Sequence, residues 1–427
     1  MSENAKPGRM SPLMGMEHAF FTENQERLRT AFEARVQKLV ADWEATAEQV
    51  RELRRKRKVK IRIVTFYGMI TLKVRKGRGR EGGWSHPATA FLGLRPNQWY
   101  SPEMEQRLAV FSVESGSYEK AARLAECTWL TASDDAVRAL VQRLAETAAN
   151  NPPPLTCNGA AGQEDTLIVM ADGWNARHRG ANWGRDKSNR VLPERVHWHE
   201  IRSAVIFKLS ALLAVSGKRK AIMDKHVVAV PADTSPLDFG IRLKEEMIRM
   251  GYLRARNVFF VMDGGVWLWN IFSDRFQQCS KGMLDFYHLS QHLNTLGVAL
   301  HGGDERKVRE WCGKILHDLK HKSNERLFKT LDGLLSEPPS DSPATLKVIN
   351  EQEAYFRKHK THMDYAINAA QGVPIGSGSV ESLCSQFQNR LKRTGQFWTK
   401  DGFAAILQLI VRHWNGELDS LWQSAAA

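Results

Sequence analysis

Two hydrophobic segments of this chain each end in Asp-Gly, and this repeated pattern is the strongest constraint on the fold. Thr166–Gly173 reads TLIVMADG, and Val258–Gly264 reads VFFVMDG. A short apolar run bounded by turn residues predicts a buried strand. If the two strands are neighbours, Asp172 and Asp263 lie together at one edge of a sheet, where a bound cation would relieve their repulsion. Alternatively, each Asp-Gly only ends a strand in a turn.

The length and composition indicate a globular protein of two or three domains. The chain has 427 residues, of which 42% are hydrophobic. It contains no run of eighteen apolar residues, and the N-terminal MSENAKPGRM lacks the apolar centre of a signal peptide, so we predict a soluble cytoplasmic protein with no membrane partner. The odd number of cysteines and the absence of CxxC argue against a disulfide framework and a cysteine zinc site. They are Cys127, Cys157, Cys279, Cys312 and Cys384.

The positive charge is concentrated in one segment. The net charge is +14, and residues 51–80 hold thirteen lysines and arginines against the single acid Glu52, which supplies +12 of that total. Such a block indicates a polyanionic partner, usually nucleic acid, although a solvated, disordered charge run has the same composition. The predicted DNA-binding residues in this block are Arg54, Arg55, Lys56, Arg57, Lys58, Lys60, Lys73, Arg75, Lys76, Arg78 and Arg80.

The N-terminal part of the chain is predicted to contain a long helix and a hairpin. We expect residues 1–16 to form a disordered tail, and apolar residues at close to helical spacing predict a helix over Glu17–Arg57. Lys58–Phe66 and Met69–Arg75 are β-rich and predict a small hairpin that carries the basic block. Residues 76–100 are rich in Gly and Pro and indicate a loop.

Three further helices complete a predicted DNA-binding region over residues 17–150. They are expected at Pro102–Phe111, Ser117–Glu126 and Asp134–Ala148. This pattern is typical of a helix-turn-helix, and equally of a plain three-helix bundle. The neighbouring basic block favours DNA binding. Residues 151–163, with prolines and separate glycines, are predicted to be a linker.

The region 164–285 is predicted to hold the first part of a ribonuclease-H-like catalytic core. After Thr166–Asp172 we expect strands at Val196–Leu209 and Ile222–Val230, a helix at Leu237–Leu253, and a fourth strand at Val258–Asp263. Three strands, a helix and a strand suit that fold, in which the first and fourth strands are adjacent and carry carboxylates. A dinucleotide fold would need strands alternating with helices from the start and a GxGxxG motif, which is absent. The residues expected on the inner side of the helix are Ile241, Met247, Ile248 and Leu253.

The remainder of the predicted α/β fold is mostly helical. A short fifth strand is expected to end at Met283–Asp285. Residues 286–370 read as a helical insertion interrupted by the Pro-rich loop Ser336–Pro343, and residues 371–427 as C-terminal helices of the core.

A third acidic residue stands at the start of a predicted helix in Pro374–Arg393, which reads PIGSGSVESLCSQFQNRLKR. Ser377 or Ser379 is the expected N-cap, which places Glu381 in the first turn. An apolar stripe adjoins it, formed by Val380, Cys384, Phe387 and Leu391. Read in isolation, Glu381 is a first-turn acid that interacts with the helix dipole, worth about 0.3–1 kcal/mol.

Taken together, the phrases MADGWN, WHEIR, VMDGG, DFYH and IGSGSVESLCSQFQNRLKRTGQFW resemble bacterial insertion-sequence DDE transposases. The resemblance is to the Kra-type group, which is related to the Mutator-like superfamily. It implies that Asp172, Asp263 and Glu381 form a DDE triad. Asp285 and His288 match the DxxH element of Mutator-like relatives and are possible accessory residues.

The resemblance implies a metal-dependent DNA enzyme, a transposase that cleaves transposon ends and transfers the freed 3′-hydroxyls to target DNA. Two Mg²⁺ (or Mn²⁺) ions, about 3.5–4 Å apart, would be held by the three carboxylates, with Asp172 between them. The implied partners are double-stranded DNA and further copies of the chain, as a homodimer or a higher homo-oligomer in synapsis, and the protein would be associated with the nucleoid when bound to DNA. Phosphate contacts after the triad are expected from Arg390, Lys392, Arg393 and Lys400.

Several interpretations remain open. A ribonuclease-H-fold nuclease without strand transfer would need the same carboxylates, and a non-catalytic DNA-binding protein derived from a transposase would keep the fold. Trp174, Trp267 and Trp269 follow the two aspartates and suit core packing, or stacking on bases. The strand histidines His197, His199 and His226 are interpreted as structural or DNA-facing.

Overall fold

The computed structural model describes every residue except 1–10, 81, 96–97, 129, 156–159, 181–182, 184–194, 218, 338–341 and 424–427. The chain divides into two compact units. Unit 1 comprises Met1–Thr147 and Leu418–Ala427, and unit 2 comprises Ala148–Glu417. None of the helices that the structure describes is long and apolar enough to cross a membrane.

Unit 1 begins with a long helix whose limits differ from the prediction. Helix α1 spans Pro12–Thr46, with the Ser11 hydroxyl accepting a hydrogen bond from the Met14 amide at 3.3 Å, and α2 spans Glu48–Arg51. Part of the predicted disordered tail is therefore helical, and positions 1–10 lie outside the described residues. The predicted helix over Glu17–Arg57 is also too long, because Ala47 is extended and β1, Arg54–Thr65, starts four residues before Lys58.

The predicted hairpin is confirmed and is longer than expected. Strand β1 pairs antiparallel with β2, Gly68–Arg78, which in turn pairs with the short β3, Trp84–Ser85. Gly68 has a φ of +110°, which suits the tight turn after Tyr67 because a side chain is disfavoured there. One face of the hairpin is apolar and packs on α1. Its buried residues are Ile63, Ile70, Leu72 and Val74.

The three predicted helices after residue 100 are confirmed. They are α4, Pro102–Ser115, α5, Tyr118–Cys127, and α6, Asp134–Asn150. The short helix α3, Pro87–Phe91, lies within the segment that was predicted to be loop. Whether these helices act as a helix-turn-helix stays a prediction.

Unit 2 contains a five-stranded mixed sheet in the order β10-β9-β4-β5-β8. Its strands are β4, Thr166–Arg179; β5, Val196–Lys208; β8, His226–Val230; β9, Asn257–Met262; and β10, Lys281–Leu284. Strand β4 is antiparallel to β5 and parallel to β9. Strand β8 is antiparallel to β5, and β10 is parallel to β9.

The first Asp-Gly does not end its strand. Beyond Ala171, β4 continues to Arg179 because it stays paired with β5, with Asp172 opposite Ser203. Its parallel pairing with β9 stops at Ala171 and Met262. The interpretation of Asp172-Gly173 as a strand-ending turn is therefore wrong, whereas Asp263 does follow the end of β9.

Two other predictions in unit 2 needed correction. The single strand expected over Ile222–Val230 is interrupted, and its start belongs to a separate hairpin of β6, Leu212–Ser216, and β7, Arg219–Ile222. In helix α7, Pro236–Arg249, the buried face differs from the predicted one. Ile241 is exposed and Leu253 lies beyond the helix, while Met247 is buried as expected together with Phe239 and Leu243.

The region 286–370 is helical, as predicted. Before it, α8 covers Val266–Arg275. The helices are α9, Phe286–His301; α10, Glu305–His321; α11, Glu325–Ser336; α12, Pro343–Lys358; and α13, Tyr365–Ala370, with a 3₁₀ turn at Lys360–His362. Part of the Pro-rich loop, 338–341, lies outside the described residues.

Helix α14, Gly378–Leu391, packs on β4, and α15, Lys400–Trp414, and α16, Ser420–Gln423, follow it. The predicted apolar stripe of α14 is buried. Within it, Phe387 stacks on Trp174 of β4, with ring centroids 5.6 Å apart. This packing fixes the first turn of α14 next to the middle of β4.

Candidate active site

A cavity of about 200 Å³ in unit 2 brings the predicted triad together. Its wall draws on β4, the end of β9, the first turn of α9 and the start of α14. The lining residues are Ala171, Asp172, Asp263, His288, Ser377 and Glu381.

Strand register explains why the two aspartates meet. Ala171 and Met262 form the last pair of the parallel ladder between β4 and β9. Asp172 and Asp263 are the next residues along each strand, so both stand at the same edge. Glu381 reaches this edge from another direction, in the first turn of the helix that packs on β4.

Each of the three carboxylates is oriented by a local hydrogen bond. Asp172 Oδ1 accepts from the Gly173 amide at 2.7 Å, and Asp263 Oδ1 accepts from the Gly265 amide at 2.9 Å. Glu381 Oε1 accepts from the Ser377 hydroxyl at 3.0 Å. Neither aspartate is fully exposed, whereas Glu381 is on the solvent side.

Asp172 has the most perturbed environment of the triad. Burial, together with the charges of Asp263 and Glu381, raises the pKa of this carboxyl to about 6, against hydrogen bonds from the Gly173 amide and the Cys384 thiol. Repulsion from both other carboxylates identifies the cavity as a place where negative charge accumulates. A carboxyl group with a strongly perturbed pKa in a cavity is typical of functional sites.

Cys384 is a member of the apolar stripe that also contacts the acids. Burial and the neighbouring Asp172 raise the pKa of its thiol, so the thiol stays protonated and donates to Asp172. A protonated, buried thiol is not a nucleophile. Cys384 was expected on the core face of α14, and its position one turn after Glu381 is the one sequence signal for this contact.

The two possible accessory residues differ in where they lie. His288 lines the cavity, whereas Asp285 is 1% exposed and is not among the described residues of its wall. Asp285 Oδ1 accepts from the His288 amide at 2.6 Å, which caps α9, and its Oδ2 accepts from the Ser377 amide. This carboxylate therefore joins the start of α9 to the start of α14 behind the triad.

Tyr355 of α12 packs behind Asp263, a contact that sequence analysis missed. A Cβ added to Gly264 would lie 2.6 Å from the Tyr355 hydroxyl, so only glycine fits there. Burial and the charges of Asp263 and Asp285 raise the pKa of Tyr355. The glycine after Asp263 is the one sequence signal for this close approach.

The tryptophans and strand histidines considered from the sequence divide into core and surface groups. Trp174 and Trp269 are 3% and 5% exposed, so core packing is confirmed for both. The Trp269 indole donates to the Asp263 carbonyl at 2.7 Å and so fixes the backbone of the triad. His226 is buried against Glu246 at 2.8 Å, which makes it structural, whereas His197 is exposed.

The predicted phosphate-contacting residues after Glu381 have protein partners in the structure. The Arg390 guanidinium lies 5.0 Å from the centre of the Trp414 ring, and Lys392 Nζ lies 4.9 Å from that of Trp198. The Arg393 Nε donates to the Asn389 carbonyl at 2.7 Å.

In unit 1, the basic block lies on the hairpin, and most of its side chains are exposed. Strand register sets like charges directly opposite each other in four pairs. They are Arg54 with Arg78, Arg57 with Lys76, Lys58 with Arg75, and Lys60 with Lys73. Glu44 compensates Arg75 at 3.6 Å, and Glu52 pairs with Arg80.

The donor set of the cavity suits a hard divalent cation. Carboxylate oxygens are the ligands that Mg²⁺ and Mn²⁺ prefer, and the repulsion acting on Asp172 is what a cation would relieve. As they stand, however, no three His, Cys, Asp or Glu side chains in the described part of the chain are arranged to hold a metal. The amides of Gly173 and Gly265 and the Ser377 hydroxyl each hold one carboxylate oxygen, so the protein itself orients the three side chains.

Comparisons with known proteins gave distant similarities. No protein-family model matches the chain. A sequence from Streptococcus gallolyticus, named as a UPF0236 protein in vanSb 3′region, is 22% identical over 379 residues, which cover 86% of this chain and 76% of that protein. This identity alone does not establish family membership.

Two solved structures also show limited similarity. A chain of the Drosophila P element transposase strand transfer complex is 11% identical, with a TM-score of 0.34 over 72% of this chain and 92% of that chain. The crystal structure of NurA with manganese is 13% identical, with a TM-score of 0.09 over 68% and 66% of the two chains. Neither TM-score establishes a shared fold.

Proposed function

We propose that this chain is a DDE-type DNA transposase that cleaves the ends of an insertion sequence and joins the freed 3′-hydroxyls to target DNA. The observation that carries the proposal is that Asp172, Asp263 and Glu381, from three distant segments, line one cavity. Metal-dependent cleavage of a phosphodiester needs several carboxylates close together to hold the metal ions.

The fold of unit 2 supports a ribonuclease-H-like core. Its first and fourth strands, β4 and β9, are adjacent and parallel, and each contributes an aspartate at the same edge. The second and third strands, β5 and β8, follow on the other side of β4 in antiparallel pairs. The adjacency of the first and fourth strands and their carboxylates is what the sequence predicted for such a core.

The residues of the cavity have separable roles in this proposal. Asp172, Asp263 and Glu381 would hold two Mg²⁺ or Mn²⁺ ions, which supply charge stabilisation at the phosphorus and lower the pKa of bound water. Ser377 orients Glu381 through its hydroxyl, and Asp285 holds Ser377 in turn. His288, on the cavity wall, is positioned to contact a phosphate.

The basic hairpin supports duplex DNA as the partner. Like charges directly opposite on paired strands are destabilising, and phosphates would offset this cost. Synapsis of two element ends requires at least a homodimer, which extends the proposal to self-association.

The test is cleavage of a plasmid that carries the DNA flanking the gene, in Mg²⁺ or Mn²⁺. Asp172→Ala, Asp263→Ala and Glu381→Ala should each abolish cleavage while melting temperature and DNA binding stay nearly unchanged, because these side chains serve chemistry. Residual cleavage within tenfold of wild type would remove that residue from the triad. Glu351→Ala is the matched control, since Glu351 lies on α12 with its side chain 58% exposed and paired with Lys347.

A second assay separates transposase from nuclease. Pre-cleaved ends with free 3′-hydroxyls are incubated with target plasmid, and joined products are measured. Cleavage without joining would favour a ribonuclease-H-fold nuclease. Binding without either reaction in the wild type would favour a non-catalytic DNA-binding protein derived from a transposase.

A further inference from the structure

An exposed tryptophan between two cations lies on the strand that pairs with β4. Trp198 of β5 is 56% exposed, although a large aromatic side chain normally gains by burial. Lys392 Nζ lies 4.9 Å from its ring centre, and the Arg177 guanidinium carbon lies 5.8 Å from it. We call Trp198, Arg177 and Lys392 the aromatic platform.

The platform is held in place by α14 and the segment after it. Arg177 Nη2 donates to the carbonyls of Lys392 at 3.2 Å and Arg393 at 2.6 Å. The same guanidinium lies 4.9 Å from the centre of the Phe397 ring. A cation fixed by two carbonyls and an aromatic ring presents a preformed positive surface beside Trp198.

Counting residues along β4 and along α14 gives two estimates of the distance between the platform and the carboxylates. Arg177, the pairing partner of Trp198, is five residues beyond Asp172 on β4, or roughly 17 Å at about 3.3 Å per residue. Lys392 is eleven residues beyond Glu381 at the end of α14, or again roughly 17 Å at about 1.5 Å per residue.

We propose that the aromatic platform binds an unpaired stretch of the DNA strand that enters the cavity, with a base stacked on Trp198. Exposed aromatic rings interleaved with cations suit single-stranded nucleic acid, because bases offer π-faces and the backbone is anionic. In an intact duplex these faces are covered by neighbouring base pairs. The inference rests on the proposed function for its substrate and adds that this DNA is unpaired where it reaches Trp198.

The test is binding of the full chain to a labelled single-stranded oligonucleotide and to the same strand in a fully paired duplex, both with EDTA. Trp198→Ala should weaken single-strand binding roughly 5- to 150-fold, the range expected for loss of one stacked base, and leave duplex binding nearly unchanged. Trp198→Phe should retain most of the affinity, because it keeps an aromatic face. Trp99→Ala is the matched control, since Trp99 of unit 1 is 64% exposed.

Salt dependence separates stacking from charge. Trp198→Ala should lower single-strand affinity without changing the slope of log K against log salt. Lys392→Gln should reduce the magnitude of that slope by about 0.7, because the proposal has Lys392 contacting a phosphate of the single strand. Melting temperatures of both variants should match the wild type, since both changes are at the surface.

The inference would be overturned if Trp198→Ala lowered the affinity for single-stranded and duplex DNA equally, or changed neither affinity. It would also be overturned if Trp198 bound a protein partner instead of DNA. Because binding is measured without cleavage, the two proposals fail separately. A wild type that cuts plasmid but shows no effect of Trp198→Ala refutes only the platform. A Trp198-dependent preference for single strands in a protein that never cuts refutes only the transposase activity.

Discussion

Two antiparallel strand pairs, β1–β2 in unit 1 and β4–β5 in unit 2, place charge in opposite ways. The β1–β2 hairpin packs apolar residues on α1 and carries largely exposed cations in directly opposed pairs. Strand β4 is buried over Leu167–Ala171 and then presents Asp172 to a cavity shared with two other acids. The strand pair β1–β2 therefore carries positive charge in solvent, whereas the strand pair β4–β5 contributes to negative charge in a partly buried site.

The difference indicates which ligand each region suits. In both regions like charges are held together at a cost in stability, and a ligand of opposite sign offsets that cost. Solvent screens the exposed cations of the hairpin, so a long polyanion with many weak contacts suits that surface. Burial raises the pKa of Asp172 to about 6, so a small cation in a fixed position suits the cavity.

The largest expected effect concerns the hairpin side of this comparison. Replacing five of its basic residues by Ala should weaken duplex DNA binding and reduce the magnitude of the slope of log K against log salt. The reduction should be about 0.9 for each phosphate that the variant no longer neutralises. The measurement is a salt titration of duplex affinity. The five are Arg54, Arg55, Lys56, Arg57 and Lys58, all exposed.

A variant with the same change in charge elsewhere provides the control. Exposed basic residues on α10 of unit 2 can be replaced together, and that variant should keep the wild-type slope. An unchanged slope in the hairpin variant would mean that the basic block is a solvated surface. The control residues are Arg306, Lys307, Arg309, Lys314 and Lys320.

The second effect concerns Glu246, a buried acid of unit 2 outside the cavity, and tests whether its charge stabilises the fold. Burial raises the pKa of Glu246, but the His226 hydrogen bond and the guanidinium groups of Arg242 and Arg249 outweigh it and lower the pKa to about 2. Glu246→Gln should cost about 3–5 kcal/mol of unfolding free energy, because it removes the buried negative charge that faces Arg249 and His226. Denaturant titration measures it.

The neighbouring Glu245→Gln is the matched control for this change. Glu245 is 51% exposed and lies 3.4 Å from Arg242, so its loss should cost about 0–1 kcal/mol. Equal costs for the two variants would show that the buried network contributes no more than a surface pair.

The third effect concerns the metal that the cavity is proposed to bind. Mn²⁺ should raise the stability of the wild type, by about 2.7 kcal/mol at a hundredfold excess over the dissociation constant. Asp172→Asn/Asp263→Asn should be at least as stable as the metal-free wild type, because it removes the repulsion, and should not respond to Mn²⁺. Melting curves with and without Mn²⁺ test this, and equal shifts in both proteins would refute the metal site.

The smallest effect is a pH dependence carried by His178 of β4. Burial, with the nearby His199 and Lys400, lowers the pKa of His178 to about 4 from the ordinary 6.5. The unfolded chain then binds a proton between pH 6.5 and 4 that the folded chain does not, so this contribution is complete above pH 6.5 and is lost as pH falls. At pH 5 the loss should be about 2 kcal/mol.

His178→Phe supplies the control, since it keeps a ring against Phe403 but cannot titrate. The fall in unfolding free energy from pH 8 to pH 5 should be about 2 kcal/mol smaller in this variant than in the wild type. An identical pH dependence would assign the effect to other groups.

Most elements of the fold could be predicted because they follow local periodicity. The apolar runs indicated the strands before Asp172 and Asp263, and the stripe of Val380 and Phe387 indicated the buried face of α14. Glu381 was placed in the first turn of its helix for the same reason. That Asp172, Asp263 and Glu381 share one site was predicted from these patterns together with the family resemblance. Their catalytic roles stay a prediction.

The misses concern features that depend on tertiary partners. The continuation of β4 past Asp172 is set by its pairing with β5, which local composition does not encode. Helix α7 buries Phe239 and Leu243 rather than Ile241 because of the packing around it. The contact of Tyr355 with Gly264 joins residues about ninety positions apart, so no local pattern predicts it.

The order β1-β2-β3 makes β1 an edge strand of the described sheet, and this has a consequence for colloidal behaviour. An edge strand exposes unpaired amide and carbonyl groups that can recruit a strand of another chain, and lysines and arginines along it oppose such pairing. The cations of β1 would therefore keep the free protein dispersed, in addition to their proposed role in DNA binding. The five-alanine hairpin variant replaces this charge with a neutral, extended segment, so it should aggregate at lower protein concentration than the wild type.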